Sequence, residues 1–187
     1  MRKLKLQMQV SVDGFVAGPN GELDWMTWEH GDEMIKEINE LTDSSDTILM
    51  GRKMTDGFIG YWTSVLDSPD SPEYTFAKKM IDIPKVVFTN TITESPWVNT
   101  TLAHDIVKDV KALKERDGED IVVYGGAGFV TSLIREDLID DYYLFVNPTA
   151  VGNGMTIFGD TGGYRKLKLV ESTPHDFGVI VNHYQRA

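Results

Sequence analysis

Apolar residues occupy every second position at the start of the chain. The alternate residues between positions 4 and 12 are Leu, Leu, Met, Val and Val, and this period of two predicts a β-strand with one buried face. Residues 11–21 follow, and their three glycines and one proline predict a long mobile loop. The N-terminal part is therefore expected to be a strand that opens into a loop.

A helix is predicted after this loop. Asp32 and Glu33 lie near its start, where carboxylates interact favourably with the positive end of the helix dipole. Its buried face is predicted to consist of four apolar residues at helical spacing, which are Met34, Ile35, Ile38 and Leu41.

The middle of the chain repeats one unit, which is a short apolar run, a turn and a helix. The runs cover residues 47–50, 85–88 and 121–124. Short runs rich in Val and Ile are typical of strands that are buried on both faces of a mostly parallel sheet. Apolar residues at helical spacing within 107–113 and 129–134 predict two of the helices between these strands.

The C-terminal part has a different character. Residues 141–146, 167–171 and 178–184 resemble strands with little room for helices between them, which predicts antiparallel strands that close the sheet. A chain of 187 residues suits one hydrophobic core. We therefore predict a single α/β domain over residues 1–187, with a central, mostly parallel sheet and antiparallel C-terminal strands.

Composition narrows the function classes. The chain has no cysteine, which excludes disulfides, thiolate catalysis and cysteine-based zinc sites, so redox chemistry would need a bound cofactor. The four histidines have no i, i+4 pairing, which argues against a metal site. The N-terminus lacks the apolar core of a signal peptide, and no apolar run reaches the length of a membrane helix. We predict a cytoplasmic protein with no membrane partner.

The formal net charge of −11 argues against nucleic-acid binding, because phosphate backbones require clustered Lys and Arg. A small ligand with phosphate groups would have to be held locally, by helix N-termini and a few cations. Two junctions between a strand, a glycine and a helix suit this task, at residues 50–55 (MGRKMT) and 124–128 (YGGAG). Glycine lets backbone N–H groups approach a phosphate, and Arg52 and Lys53 add positive charge.

The alternative for these junctions is that the glycines only allow tight turns between strand and helix. Neither junction matches the dinucleotide fingerprint or the GxxxxGK[ST] phosphate loop, which disfavours a standard Rossmann dehydrogenase and a P-loop enzyme. The serines lie in no nucleophile-elbow sequence, which disfavours a hydrolase.

Five segments in order resemble one family. They are residues 11–17 (SVDGFVA), 50–55 (MGRKMT), 87–90 (VFTN), 124–127 (YGGA) and 147–154 (NPTAVGNG) with Phe158. Together they resemble the riboflavin-reductase-type branch of the dihydrofolate reductase superfamily over nearly the full chain. The resemblance implies a three-layer α/β sandwich with an eight-stranded or similar sheet, NADPH as the hydride donor and, commonly, a homodimer.

The resemblance also implies a set of cofactor-binding residues. Thr89 and Asn90 match the positions that reach the adenosine 2′-phosphate. Relatives often carry Arg at or near the second of these, and Asn90 has no charge, so the preference between NADP and NAD stays open. In the family the bond between the two glycines of the second phosphate loop is often cis. The phosphate-binding helix start and that loop are assigned to Gly51, Arg52, Thr55, Gly125, Gly126 and Ala127.

The substrate side follows from the same resemblance. The loop at residues 13–21 matches one that closes over nicotinamide and substrate, and Gly152 in the last segment is assigned to the substrate as well. Asp13 is either a functional residue of this loop or a turn-forming Asp before Gly. Trp25 and Trp28 either wall a flat heteroaromatic ligand or pack in the core.

Hydride transfer also needs an aligned acceptor and a proton. For the proton donor we consider Asp32 and Glu33, since dihydrofolate reductases place a carboxylate near the start of this helix; the alternative is that both only interact with the helix dipole. The predicted function is an NADPH-dependent reductase of a small heterocycle that resembles a pterin, a pyrimidine or a flavin precursor. Two other classes stay open, a non-catalytic nucleotide or pterin binder of the same fold and a domain for protein association only.

Overall fold

The structure is a computed structural model that describes residues 1–27 and 31–187. Trp28, one of the two tryptophans considered for the ligand wall, lies outside the described residues. The described elements, in chain order, are β1 (Leu4–Ser11), α1 (Asp32–Asp43), β2 (Ser45–Gly51), α2 (Arg52–Leu66), α3 (Tyr74–Asp82), β3 (Lys85–Phe88), β4 (Thr100–Ala103), α4 (Ile106–Glu115), β5 (Asp120–Gly125), α5 (Ala127–Arg135), β6 (Asp141–Asn147), β7 (Leu167–Pro174) and β8 (Ile180–Arg186).

One eight-stranded sheet runs through the molecule in the order β4-β3-β2-β5-β1-β6-β8-β7. The strands from β4 to β6 pair in parallel, while β8 is antiparallel to both β6 and β7. This confirms the predicted fold class. One detail was wrong, because the segment at 141–146 is parallel to its neighbour β1 and antiparallel only to β8. Because β1 to β6 all run the same way, their carboxyl ends meet at one edge.

Helices cover both faces of the sheet and make three layers. On one face α4 and α5 bury Val110 and Leu133 against the central strands. On the other face α2 and α3 pack around Met50 and Met80, and α1 places Met34 against Phe145 beside β8. The predicted helical faces at 107–113 and 129–134 are therefore confirmed, whereas Ile35, predicted to lie on the buried face of α1, is 45% exposed.

The first strand differs from its prediction of one buried face. β1 lies between β5 and β6 and is covered on both faces, so Lys5 is only 8% exposed. Its ammonium group lies 2.7 Å from Asp120 and donates to the Ser44 hydroxyl, which compensates for its burial. Val12 falls beyond the strand, and its side chain is 63% exposed. Its N–H donates to the Thr149 carbonyl of another loop.

A second departure follows β3. The sequence predicts a turn and then a helix after residue 88, but the chain first adds the edge strand β4, parallel to β3. With four residues and two threonines (Thr100 and Thr101), β4 is too short to show the hydrophobic period of a strand.

No helix in the described ranges is long and apolar enough to cross a membrane.

Candidate functional site

Two helix N-termini lie side by side at the carboxyl edge of the sheet. Gly51 ends β2 and is the N-cap of α2, and Gly126 follows β5 and is the N-cap of α5. The two strands are neighbours, with Met50 opposite Gly125. Neither N-cap glycine has a side chain that bonds the first N–H groups of its helix, so both helix starts keep donors for an anion.

The four glycines at these junctions, at positions 51, 125, 126 and 128, differ in whether the fold requires glycine there. A Cβ atom on Gly51 would lie 2.9 Å from the Cβ atom of Phe129 in α5, so Gly51 is needed for close packing of α5. Gly125 has a φ of +133°, a conformation that favours glycine. These two glycines are explained by the turn and by packing, as the structural alternative proposed. The bond between Gly125 and Gly126 is cis, as the resemblance implies.

Gly126 and Gly128 do not have such a structural reason. Gly126 has an ordinary φ of −72°, and a Cβ atom there would be 3.8 Å from its nearest neighbour, in van der Waals contact with Met54. A Cβ atom on Gly128 would meet nothing within 4 Å. Gly126 is the N-cap and Gly128 lies in the first turn of α5, where the absence of side chains leaves the backbone N–H groups of the helix start accessible to a ligand.

The charges of the helix starts separate α2 and α5 from α1 and α4. The chain has 29 Asp and Glu residues, yet the first turns of α2 and α5 contain none. In contrast, the first turn of α1 carries Asp32 and Glu33, and that of α4 carries Asp109. The first turn of α3 also lacks acidic residues, but its N-cap is Glu73. An anion therefore meets less repulsion at α2 and α5 than at α1 and α4.

Thr55 is placed differently from the other residues assigned to the phosphates. It is completely buried, and its hydroxyl donates to the Gly51 carbonyl at 3.3 Å. This bond lies inside the first turn of α2. The structure thus gives Thr55 a contact that stabilises the helix start and takes up its hydroxyl hydrogen.

The ends of β3 and β4 flank the α2 junction on one side. Thr89 is 7% exposed, and its N–H donates to the Ala103 carbonyl at 3.0 Å, which extends the strand ladder by one residue. Its hydroxyl accepts the N–H of Thr91 at 3.2 Å. Asn90 is exposed at the tip of this turn. The two residues assigned to the adenosine end thus lie at the same edge as Gly51, one strand away.

On the other side, beyond β5, Asp13 joins two loops. Its carboxylate accepts the Ser11 hydroxyl at 2.6 Å and the backbone N–H groups of Val151 and Gly152 at 3.0 and 2.7 Å. These bonds, the Ser11 bond first, lower the pKa of Asp13 to about 2. Asp13 therefore stays ionised at neutral pH and holds the two loops together. The structure brings Asp13 into contact with Gly152, the other residue assigned to the substrate.

The loop at residues 11–21 is more strongly tied than the predicted mobile loop. Val16 donates its N–H to the Met155 carbonyl, and Met155 donates to the Ala17 carbonyl, at 2.8 and 2.9 Å. A Cβ atom on Gly154 would lie 2.1 Å from the Ala17 oxygen, so glycine is needed for this close approach. Glycine and proline content predicted the loop but gave no sign of its partner, the segment 149–155.

Asn147 is a residue of the site that sequence reasoning missed as a functional side chain. It ends β6 beside Ser11, is completely buried, and accepts the N–H of Thr27 at 2.8 Å. Its amide group donates to Gln9 at 2.8 Å and to the Phe145 carbonyl at 3.0 Å. The available signal was an amide side chain at the carboxyl end of a strand that is otherwise mostly apolar. Asn147 positions the segment that leads to α1.

Trp25 and the two candidate acids lie along this segment. Trp25 is half-buried, and its indole N–H donates to the Glu22 carbonyl at 3.1 Å. Asp32 and Glu33 are exposed in the first turn of α1. The helix α1 packs its Met34 against Phe145 of β6, and Thr27 is bonded at the carboxyl end of the same strand. Both lie on the opposite side of β5 from β3, which Asn90 follows.

Taken together, the eight-stranded sheet, its antiparallel C-terminal strands and the carboxyl edge just described define a dihydrofolate-reductase-like fold. Within this class the chain belongs to the RibD C-terminal domain family, which it matches over residues 2–181. Two relatives come from Bacillus subtilis (strain 168). The uncharacterized protein YyaP is 32% identical over 179 residues, covering 96% of this chain and 92% of YyaP. The uncharacterized protein YwjB is 29% identical over 188 residues, covering 100% and 99%.

Solved structures show the same fold at lower identity. A putative riboflavin biosynthesis protein from Shewanella sp. PV-4 has a TM-score of 0.75 at 22% identity, covering 100% of this chain and 99% of that one. The diaminohydroxyphosphoribosylaminopyrimidine deaminase/5-amino-6-(5-phosphoribosylamino)uracil reductase of Thermotoga maritima has a TM-score of 0.69 at 19% identity; this chain is covered fully and corresponds to 57% of it. A pyrimidine reductase-like protein from Corynebacterium diphtheriae has a TM-score of 0.65 at 14% identity, covering 100% and 92%.

Proposed function

We propose that this protein is an NADPH-dependent reductase that transfers a hydride to a small heterocyclic substrate. One observation carries the proposal, the pair of adjacent, acid-free helix N-termini at Gly51 and Gly126, with two glycines that packing does not require. Such a pair suits the two linked phosphates of a dinucleotide. The family relationship supports a reductase.

The proposed orientation of the dinucleotide rests on the residues on the two sides of β2 and β5. With the pyrophosphate over β2 and β5, one half of the ligand extends toward β3 and β4 and the other toward β1 and β6. The β1 and β6 side carries Asp13, Gly152 and Trp25, with loops that can exclude water from a reaction. We place the nicotinamide and the substrate there, and the adenosine at Thr89 and Asn90.

In this arrangement the cofactor, when bound, supplies the hydride, and the chain supplies position and a proton. Arg52 and the N–H groups of both helix starts hold the phosphates. The loops joined by Asp13 cover the reacting atoms, and Trp25 offers an aromatic face to a flat ring. Asp32 and Glu33, at the start of α1, stay the candidate proton donors, as the resemblance implies.

The substrate class is taken from the relatives. Two of the similar structures bear the names of a pyrimidine reductase-like protein and of a uracil reductase joined to a deaminase. We therefore propose a substrate that resembles a pyrimidine, a pterin or a flavin precursor. The homodimer implied by the resemblance stays a prediction, as does the cytoplasmic location.

The first test is a titration with NADPH and, separately, with NADH, followed by tryptophan quenching and energy transfer to the nicotinamide. The informative variant is Gly128→Glu, which puts a carboxylate in the first turn of α5. We expect NADPH affinity to fall at least about tenfold from repulsion, while stability holds or rises by up to about 1 kcal/mol because glycine is a poor helix former.

Gly60→Glu is the matched control. Gly60 is an exposed glycine within α2, and a Cβ atom there also meets nothing within 4 Å. This variant adds the same charge away from both helix starts, so its NADPH affinity should stay near that of the parent. Equal affinity in both variants, or no binding to the parent protein, would contradict the proposal. If NADPH binds but no heterocycle of the proposed class oxidises it, the protein would be a non-catalytic nucleotide binder.

A further inference from the structure

β7 is the outermost strand of the sheet on the β6 side. Its inner edge pairs with β8, and its outer edge has no strand beside it among the described residues. The opposite outermost strand, β4, has four residues, whereas β7 has eight, and six of these eight are exposed. The outer edge of a strand carries backbone N–H and C=O groups that can pair with another chain. β7 is thus the longer of the two strands that could be extended in this way.

The centre of β7 is apolar and exposed. Leu169 is 52% exposed and Val170 is 48% exposed. Val170 has no partner residue in β8, because the register of the two strands shifts between Leu169 and Glu171. On β8, Ile180 is 40% exposed as well. Apolar side chains that are exposed together, as these are on the last two strands, mark surfaces for association.

The charges of β7 are ordered along the strand. Lys166 precedes the strand and Lys168 lies near its start, whereas Glu171 lies beyond its centre, and all three side chains are exposed. Within the described ranges none of the three takes part in an ion pair. One half of the strand is therefore basic and the other half acidic, and neither half is neutralised within the chain.

We propose that a second copy of this chain pairs with the outer edge of β7 in the antiparallel direction, about a two-fold axis between Leu169 and Val170. A symmetric dimer needs a surface that complements itself. With the axis at this position, Lys168 lies opposite Glu171 of the partner subunit, and Leu169 lies opposite the partner's Val170. The unpaired residue of each strand is matched by that of the other. Opposite charges and apolar side chains in directly opposed positions stabilise antiparallel strands.

The first measurement is the molar mass of the full chain by light scattering after gel filtration, at low ionic strength and at loading concentrations up to tens of micromolar. We expect twice the chain mass of 21.0 kDa. A monomeric mass at every concentration would overturn the proposal. No nucleotide is needed, so this failure would leave the proposed dinucleotide site untouched.

Charge reversals test the register. Glu171→Lys puts like charges opposite each other at both symmetric positions, and so does Lys168→Glu, so the dissociation constant of the dimer should rise at least about tenfold in each variant. The double variant, Lys168→Glu with Glu171→Lys, restores opposite charges and should return to within about threefold of the parent. An equimolar mixture of the two single variants should also dimerise, because each supplies the charge that the other lacks.

Glu115→Lys is the matched control. Glu115 is exposed at the end of α4, so this variant carries the same charge change away from β7, and its dissociation constant should stay near that of the parent. Thermal melts verify that each variant is folded.

The outcomes separate the surface from the register. Unaltered dimer affinity in both single variants, or equal weakening in the control, would overturn the assignment of β7 as the interface. Weakened single variants with a double variant that stays monomeric would overturn the proposed register. Weakening in both single variants that is reversed in the double variant and in the mixture would support the proposal.

Discussion

At the amino edge of the sheet, charged side chains pair with one another, whereas the carboxyl edge carries the starts of α2 and α5, whose N-cap glycines make no side-chain bond to their helices. Each ion pair of the amino edge includes at least one buried or half-buried group; the pairs are Arg2 with Asp46, Lys5 with Asp120, Lys114 with Asp140, and Lys3 with Asp141. The charges of these pairs are satisfied within the chain, and the proposed ligand site lies at the other edge.

A cavity of about 510 Å³ opens at the amino edge and shows why volume alone does not mark a site. Two of its lining residues are buried cations, Arg2 and Lys85. Arg2 is paired with Asp46 and donates to Thr47, and Lys85 donates to two backbone carbonyls at the end of α3. Both of these cations are held by contacts within the chain, so the cavity is not evidence of a binding site.

The strongest test of this contrast is Asp141→Ala. Asp141 is 2% exposed, and although burial would raise its pKa, bonds from His183, Gln185 and Lys3 keep it lowered. Removing the carboxylate leaves the half-buried His183 and Gln185 side chains without their acceptor, while the exposed Lys3 can be solvated, so urea unfolding should show a loss of about 3 kcal/mol. NADPH affinity of the folded variant should change less than about threefold. An equal loss of affinity would contradict the separation of the two edges.

The control for this variant is Asp160→Ala. The Asp160 side chain is 88% exposed, 3.8 Å from Arg135. Exposed pairs of this kind contribute little, so its stability should stay within about 0.5 kcal/mol of the parent.

Lys85 offers a smaller, pH-dependent test. Burial lowers the pKa of Lys85 from 10.5 to about 8. At pH values between these two pKa values, Lys85 has lost its proton in the folded chain but keeps it in the unfolded chain. The contribution of Lys85 to stability therefore rises with pH. The stability of the parent minus that of Lys85→Met should therefore increase by about 2 kcal/mol between pH 7.5 and pH 10. A constant difference would show that the ammonium group is not desolvated.

The smallest effect is expected at the carboxyl edge, for Asp13→Asn. The amide keeps one acceptor oxygen but loses the charge and the second acceptor. Hydrogen exchange at the N–H groups of Val151 and Gly152 should accelerate by about tenfold as the two loops separate more often. The Met155 N–H, which is bonded to Ala17, should change less. Unaltered exchange at all three would mean that the backbone pairing alone joins the loops.

The parts of this picture that the sequence predicted are local. The junctions at residues 50–55 and 124–128 were visible because an apolar run and a glycine are adjacent in the chain. The pairing of Asp13 with Gly152 joins residues 139 positions apart, and the burial of Lys5 depends on neighbours on both sides of β1. A period of two could not distinguish a half-buried strand from a central one whose polar residues are paired.

The distinction among the junction glycines also required the fold. The sequence gives no sign that Gly51 has a different role from Gly126 and Gly128. The structure distinguishes them, because a Cβ atom on Gly51 would meet Phe129, whereas Cβ atoms on Gly126 and Gly128 would meet no close neighbour. The short strand β4 was missed for a related reason, since its place beside β3 is set by pairing rather than by composition.

The contact between Gly51 and Phe129 makes a single unit of the two helix starts. A side chain of α5 lies directly across the residue that begins α2, and their strands share a hydrogen-bonded ladder, so the two helix starts cannot move apart without disturbing the core. Under the proposed function, the separation of the two phosphate-binding ends is therefore set by the packing of the fold and not by the ligand.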